Sequence, residues 1–414
     1  MAAQLFDFLC NLLLSFEKGH HMKFINNERL IAYPIIIFVI SWATYFAVTF
    51  SGTGLTDGFG KTIGADFICF YSASSMLRDG AAADVYDIEK LMTKEASITK
   101  KEDYDFASAW FYPPIYLLFI KKLASVSYLH ALLLFTLVTF SMYFLSMALL
   151  LPNRLSYLWL VTFPGVFQNI TNGQNGFLSA TILTSSLYFI DKKPFIAGLI
   201  LGIMSYKPHL AFAPFLILLA TKNYKALSGC ALSSATLVIV SILSFGFAPW
   251  GSFLRTLPLA DTLAMSGFLP WYKMNSPQAG FLLLGIPPEL ARLLHIAIAL
   301  GAIAFTAMLW RQKANFNLRA SALIITTLLS VPFGYDYDLA MLAPALIWFG
   351  LEAWKSGWST YEKSIIIVAW IVPIVSPPIA LGTHILLTPL VLIMLLVAIR
   401  NRYKSEQQEA SLVS

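Results

Sequence analysis

One carboxylate in this sequence stands directly beside an apolar run. Asp66 is followed by Phe67, Ile68, Cys69 and Phe70 within the segment GADFICFY. A carboxylate beside apolar residues is often desolvated, which raises its pKa toward the range of a general base. The alternative is that Asp66 caps the first turn of a surface helix, because Asp is a preferred N-cap residue. The residues alone leave both interpretations open.

Two basic residues interrupt the otherwise uncharged stretch 194–221. Lys207 is followed by Pro208 and His209, a break that predicts two short helices on either side. A buried cation is costly within a membrane, and broken helices can direct polar groups at an anion. A phosphate group would satisfy the Lys207 charge. The alternative is a lysine at a short hairpin whose long side chain reaches the membrane surface.

The late segment GYDYD places Asp336 and Asp338 two residues apart, shortly after Pro332. Two such acids could bind a divalent metal or sugar hydroxyl groups. They could equally belong to a hydrated loop in which one of them caps the following helix.

The segment NITNGQNG supplies Asn172, Gln174 and Asn175. Its two Asn-Gly pairs predict a tight turn between two helices. The amides could in addition form hydrogen bonds with sugar hydroxyls, which the turn chemistry alone does not require. Arg255 and Lys273 are further cations of a later loop, for which a structural role is the stronger alternative.

Composition sets the frame in which these residues act. Of the 414 residues, 58% are hydrophobic and only 12% are charged, about half of the charged fraction of a soluble domain, ~25%. This excludes a disordered chain and a conventional water-soluble enzyme, and the continuous apolar runs argue against an outer-membrane barrel. The net charge of +6 does not indicate a nucleic-acid partner, because Lys and Arg collect at the cytoplasmic ends of membrane helices.

The charge-free stretches predict an all-α protein with about twelve membrane-spanning helices. The predicted spans lie near 31–51, 128–150, two within 155–190, and then 195–205, 209–220, 226–248, 290–310, 319–333, 338–353, 363–380 and 384–400. The single domain 1–414 then has a cytoplasmic amphipathic segment 1–30 and a cytoplasmic tail 401–414. Two long external loops, 52–127 and 249–289, are rich in aromatic residues, so we expect amphipathic helices lying on the outer surface.

The positive charges predict the orientation of the chain. With both termini in the cytoplasm, every short inner loop is basic, as cytoplasmic loops usually are. Sixteen of the 28 Lys and Arg residues then lie on the inner side: Lys18, Lys23, Arg29, Arg154, Lys192, Lys193, Lys222, Lys225, Arg311, Lys313, Arg319, Lys355, Lys363, Arg400, Arg402 and Lys404. This places the polar candidates at the outer membrane edge and predicts a multi-pass protein of the inner (plasma) membrane.

Five segments in order resemble the membrane glycosyltransferases of family 87. They are GADFICFYSASSMLRDG followed by VYD, FYPPIYLLF, NGQNGFLSATIL, PFIAGLILGIMSYKPHLAFAPFLILLA and PFGYDYDLAMLAPAL. The resemblance runs from about residue 64 to 346. The sequence departs from the family pattern at His209, where glutamine is the commoner residue.

The resemblance implies the C-type glycosyltransferase fold, an inverting mechanism and a polyprenyl-phosphate sugar donor, with mannose as the first candidate sugar. The acceptor would be a lipid or glycan, and the lipid bilayer a further partner. It also implies that Asp66 is the catalytic base. A monophosphate leaving group needs no clamping metal, so no metal site and no cofactor are expected.

The resulting candidate site combines three predicted groups. The base is Asp66. The donor phosphate is expected to bind Lys207, His209, Arg255 and Lys273. The sugar or acceptor is expected to contact Tyr71, Tyr112, Asn172, Gln174, Asn175, Tyr335, Asp336 and Asp338. A flippase or transporter of lipid-linked sugars is the main alternative, and a scaffold for envelope assembly is a third interpretation; neither needs a base.

Overall fold

The computed structural model describes residues 27–100, 109–151 and 154–413, and every named regular element in these ranges is a helix. The helices are α1 (Asn27–Phe50), α2 (Phe67–Arg78), α3 (Ile88–Thr99), α4 (Pro114–Ile120), α5 (Tyr128–Ala148), α6 (Arg154–Val161), α7 (Pro164–Asn172), α8 (Gly176–Ile190), α9 (Pro194–Gly202), α10 (Pro208–Ala220), α11 (Tyr224–Phe245), α12 (Ala248–Met265), α13 (Pro277–Leu283), α14 (Pro288–Arg311), α15 (Phe316–Ser330), α16 (Leu342–Lys355), α17 (Glu362–Thr383) and α18 (Leu387–Val413). The amphipathic segment predicted for 1–30 lies outside the described residues up to residue 26. Helix α18 continues through most of the stretch predicted to be a tail.

In the described part of the chain, five helices are long and apolar enough to cross a membrane: Ile31–Phe50, Tyr128–Ala148, Tyr224–Phe245, Pro288–Arg311 and Glu362–Thr383. Four more apolar helices have only 10 to 17 residues, short of the ~20 that a full span requires. The predicted number of twelve spans is therefore not confirmed. A stretch without charged residues indicates an apolar environment. It does not show whether one long helix or two short helices occupy that environment.

Proline accounts for a break that the sequence interpretation missed. The stretch 155–190 contains three helices rather than two, because α7 starts with Pro164 at its first position. Proline is favoured there since it has no N–H to leave unpaired. The second break was predicted correctly: α7 ends at Asn172, and the chain turns through Gly173 at φ 63° before α8 starts at Gly176.

One helix of the first long loop does not lie on the surface as expected, whereas α3 has one buried face and one exposed face. Nine of the twelve residues of α2 are buried, including small polar residues such as Ser72 and Ser74. The prediction of a surface helix is wrong for α2, because the helix packs against α3, α4 and α5 rather than against lipid headgroups alone. Helix α12 of the second long loop does have two faces: Phe253 and Thr256 are buried, whereas Leu254 is exposed.

The helices carry polar clusters at two opposite ends. Helix α8 starts at Gly176 and stops one residue before Asp191, whose side chain forms an ion pair with Arg319. At the same far end, buried Glu362 pairs with Arg402. The 15 residues of α8 correspond to a length of about 22 Å. The candidate site at the start of α8 is therefore separated from the far end by the thickness of the helical layer.

Helices α9 and α11 approach each other closely at Gly198. An ideal Cβ built on Gly198 would lie 1.9 Å from the backbone oxygen of Ala226. Any side chain at this position would force the two backbones apart. Close backbone approach at small residues is the usual means by which membrane helices gain packing contacts.

We expect Gly198→Ala to lower the free energy of unfolding by about 1–3 kcal/mol or more, because overpacking separates α9 from α11. The matched control is Gly301→Ala in α14, where the added Cβ meets nothing within 4 Å. That change is expected to leave stability unchanged or slightly raised, as Ala favours helices. Thermal unfolding of both purified variants in detergent measures the difference. Equal midpoints would contradict the packing argument.

Candidate active site

Asp66 occupies the N-cap position of α2, but its side chain does not cap the helix. Its carboxylate instead accepts a hydrogen bond from the side-chain amide of Gln174, with Nε2 to Oδ2 at 3.0 Å. Its backbone N–H donates to the carbonyl oxygen of Asn172 at 3.0 Å. The helix-cap interpretation therefore does not explain the side chain. The carboxylate is held from the turn between α7 and α8, 108 residues away in sequence.

The pKa of the Asp66 carboxyl is raised above its usual value, chiefly by burial. The hydrogen bond from Gln174 and the charges of Lys273 and Lys207 act in the opposite direction. Burial favours the proton-bound form, and the donor and cations favour the carboxylate. This balance suits a group that must be ionised at rest and accept a proton during a reaction.

Gln174 is fixed by the turn that contains it. Its side-chain oxygen accepts a hydrogen bond from the backbone N–H of Asn175 at 3.2 Å. The hydroxyl of Tyr112 donates to the same oxygen at the longer distance of 3.5 Å. With the oxygen engaged by donors, the amide nitrogen must point the other way, toward Asp66. The turn thus selects the orientation in which Gln174 donates to the carboxylate.

Lys207 and Asp338 form a buried ion pair, with Nζ to Oδ1 at 2.7 Å and side chains only 3% and 2% exposed. The Lys207 nitrogen also lies 5.1 Å from the centre of the Tyr337 ring and 6.0 Å from that of Tyr112. Lys207 therefore neither extends to the membrane surface nor lacks a countercharge. Its position follows from the break before α10, where a 3₁₀ turn that continues α9 through Ile203–Tyr206 ends.

Asp336 is buried in the short helical turn that follows Tyr335. Burial raises the pKa of its carboxyl to about 7, and the negative charges of Asp66 and Asp338 contribute to the increase. Lys273 lowers this pKa. Asp336, Asp66 and Lys273 are thus close enough to influence one another electrostatically. Around neutral pH, Asp336 is present in both its protonated and its ionised form.

Aromatic rings enclose the site on the side of the first long loop. Tyr112 and Tyr116 lie with ring centres 4.6 Å apart, and Tyr116 stacks on Tyr206 at 5.2 Å. Across the site, Tyr335 and Tyr337 are stacked with an angle of 10° between their rings. Such walls lower the local dielectric constant and strengthen charge interactions within the site.

Four predicted residues take no direct part in this cluster through their side chains. The Tyr71 hydroxyl donates to the backbone oxygen of Val126. The Asn172 amide donates to the backbone oxygen of Gln168 within its own helix. His209 is exposed at the start of α10, although its ring is close enough to Lys207 and Asp338 to interact with their charges, and exposed Arg255 donates to Ser252. Asn175 lies in the cluster but is fully buried behind Gln174.

The sequence interpretation missed Asn275, which lies on the segment beside Lys273. Its backbone N–H donates to the carbonyl oxygen of Gly334, and its side chain donates to that of Tyr335. The sequence analysis treated residues 274–280 only as part of the long external loop 249–289. A single asparagine in a loop carries no signal of its own, so nothing short of the fold could have paired it with the Tyr-Asp segment.

Within the described ranges, no group of three or more His, Cys, Asp and Glu side chains could hold a metal ion. The cluster offers a carboxylate beside cations instead. A carboxylate of this kind can remove a proton from a hydroxyl group, and the cations can bind an anionic leaving group.

Comparison with known proteins gives one match. The model of glycosyltransferase family 87 matches residues 110–332, more than half of the chain. The matched part includes Tyr112, Gln174, Lys207 and Lys273, whereas Asp66 precedes it. Searches of curated proteins and of solved structures found no match.

Proposed function

Because the chain belongs to glycosyltransferase family 87, we propose that it transfers a hexose, with mannose as the first candidate, from a polyprenyl-phosphate donor to a lipid or glycan acceptor. The observation that carries this proposal is the Asp66 carboxylate, which Gln174 holds at 3.0 Å beside the cations Lys207 and Lys273. A base and a cation next to each other are what transfer from a sugar phosphate to a hydroxyl requires.

In the proposed reaction, Asp66 accepts the proton of the acceptor hydroxyl. The acceptor oxygen then attacks C1 of the donor sugar from the face opposite the phosphate. The bond between C1 and the phosphate oxygen breaks, and polyprenyl phosphate leaves with the bonding electrons. One displacement inverts the anomeric configuration, and the proton ends on the Asp66 carboxylate.

Among the four cations predicted to bind the donor phosphate, Lys273 fits best. No ion pair within 4.0 Å engages Lys273 in the described part of the chain. Lys207 already has Asp338 as its countercharge. A partly exposed lysine beside the base can neutralise the charge that develops on the leaving phosphate. Lys207 then contributes through the positive potential around Asp66 more than through direct contact.

The distribution of cations supports an external site. Arg311 ends α14, Lys313 follows it and Arg319 lies in the first turn of α15, at the end of the helical layer opposite Asp66. Under the positive-inside rule this end faces the cytoplasm. We therefore propose an inner (plasma) membrane protein with both termini in the cytoplasm, the C-type glycosyltransferase fold and an active site on the external face.

The test is incubation of the purified protein with a panel of polyprenyl-phosphate sugars and candidate acceptor lipids, with products identified by mass spectrometry. We expect one donor to yield a product heavier than the acceptor by one hexose, together with free polyprenyl phosphate. Nucleotide sugars supplied in place of the lipid donor serve as the control. Transfer from a nucleotide sugar alone would contradict the proposed donor class.

A further inference from the structure

Three consecutive residues of the second long loop grip the segment that leads to Asp336. Met274 forms an isolated antiparallel bridge with Tyr335. The Asn275 backbone N–H donates to the Gly334 oxygen at 2.8 Å, and its side-chain nitrogen donates to the Tyr335 oxygen at 3.1 Å. Residues 274–276 are called the clasp below.

Ser276, the third residue of the clasp, forms hydrogen bonds to the segments on both sides of it. The Ser276 hydroxyl donates to the Pro332 oxygen at 2.5 Å and accepts the N–H of Ala279 at the start of α13. The clasp is therefore anchored to a helix on one side and to the backbone of residues 332–335 on the other. Residues 332–335 are called the gripped segment below. Consecutive contacts of this kind set the register of the two segments.

We propose that Asn275 is a positioning residue for the transfer reaction, because it holds Lys273 and Asp336 on opposite strands of one bridge, facing Asp66. This inference rests on the proposed function and adds to it the element that assembles the charges. Lys273 lies one residue before the clasp, and Asp336 lies one residue after the gripped segment. Neither segment alone fixes the distance between these two charges.

Asn275 and Gly334 are in close packing contact in addition to their hydrogen bond. Asn275 is 1% exposed, and its side-chain oxygen lies so close to Gly334 that an ideal Cβ there would be 2.3 Å away. That oxygen accepts no hydrogen bond from the described residues. A buried unpaired acceptor is costly. The site keeps this asparagine although part of its amide is unsatisfied, which fits a role in holding backbone.

The clasp controls charges that act on Asp66 from several elements. Lys273 comes from the second loop, Lys207 from the break before α10, and Asp336 from the position directly after the gripped segment. The phenols of Tyr335 and Tyr337 and the thiol of Cys69 also face this carboxyl. Of these groups, only Lys273, Tyr335 and the residues directly after Tyr335 depend on the clasp. Loosening it moves both Lys273 and Asp336 away from Asp66, but Lys273 is the stronger influence on the Asp66 carboxyl, so the pKa of Asp66 should rise.

The first test is Asn275→Ala. A loss of about 10- to 100-fold in kcat/KM is expected, as misplacement by about 1 Å has effects of this size. The acid limb of the pH profile of kcat/KM should move to higher pH, because Asp66 must be ionised to act as the base. Lys273→Met should move the same limb in the same direction. A merely structural role would lower activity and leave the limb unmoved, which would overturn the inference.

The matched control is Asn317→Ala at the far end of the helical layer. Its amide donates to Glu352 at 2.8 Å, so the change also removes an amide hydrogen bond from a helix terminus. We expect the acid limb of this variant to coincide with that of the wild type. A shift as large as that of Asn275→Ala would show that any loss of stability has this effect, and would refute the assignment.

A double variant tests the contact itself. Gly334→Ala alone should lose more activity than Asn275→Ala, because the new Cβ collides with the amide of Asn275. In Asn275→Ala/Gly334→Ala the amide is gone, so activity should return to the level of Asn275→Ala. Losses that simply multiply would show that the two residues act independently and would overturn the clasp.

Hydrogen exchange separates this inference from the proposed function. The backbone amides of 274–276 and 334–338 should exchange faster in Asn275→Ala than in the wild type, whether or not a donor has been identified. A wild-type enzyme that transfers no sugar would refute the proposed function, and faster exchange would still support the clasp. Unchanged exchange would refute the clasp even in an active enzyme.

Discussion

Asp66→Asn is expected to reduce sugar transfer by about 10³- to 10⁴-fold, the upper part of the range for loss of a general base. Asparagine has the shape of aspartate, and its oxygen can still accept the hydrogen bond from Gln174. The variant should therefore fold and bind donor while lacking a group that accepts the acceptor proton. The measurement is the initial rate of product formation at saturating donor and acceptor.

The control is Asp57→Asn in the same external loop. The Asp57 carboxylate accepts the backbone N–H groups of Phe59 and Lys61, and an amide oxygen can replace it in both contacts. This variant should retain the wild-type rate. Full activity of Asp66→Asn would show that another group is the base. Lipid transport by Asp66→Asn without transfer, matched by the wild type, would favour the flippase interpretation.

Lys207→Met should destabilise the protein by about 3–5 kcal/mol, because it leaves the Asp338 carboxylate buried without its countercharge. The double variant Lys207→Met/Asp338→Leu should recover most of the loss, since a buried ion pair can often be replaced by apolar groups of similar volume. Unfolding in detergent, followed by helix content against temperature or denaturant, measures both.

A surface pair provides the comparison for this prediction. Lys90 and Asp84 lie 2.8 Å apart with side chains 55% and 44% exposed. Lys90→Met should cause no measurable change, because exposed ion pairs contribute little. If Lys207→Met were as stable as the wild type, the pair would have to be solvated, and the buried environment assigned to it would be wrong.

The sequence was informative where a residue type was rare in its surroundings. Asp66 and Lys207 stood out because few charges interrupt the apolar stretches, and the fold brings both into one cluster. Gln174 was found through the Asn-Gly pairs of its turn. Its contact with Asp66 could not be predicted, because the two residues are 108 positions apart.

The sequence did not reveal which groups the candidate residues contact or whether their side chains are buried or exposed. The charge of Lys207 predicted an anionic partner, but the chemistry of a lysine does not distinguish a phosphate from Asp338. His209 follows Lys207 by two residues and still lies on the exposed side, because α10 begins between them. Contacts between a side chain and distant backbone, such as those of Asn275, cannot be predicted from the amino-acid composition.

The short length of α8 has a consequence for how the lipid substrate reaches the site. The helix rises about 22 Å from the far end, less than the ~30 Å of a bilayer's hydrocarbon core. Under the proposed function and orientation, the Asp66 base near the start of α8 would lie below the level of the lipid headgroups. Moving a polyprenyl chain from the membrane into water would cost about 0.8 kcal/mol of free energy for each CH₂ group exposed. If the proposed donor is correct, it would react without leaving the membrane, and only the polar part of the acceptor would have to reach this depth.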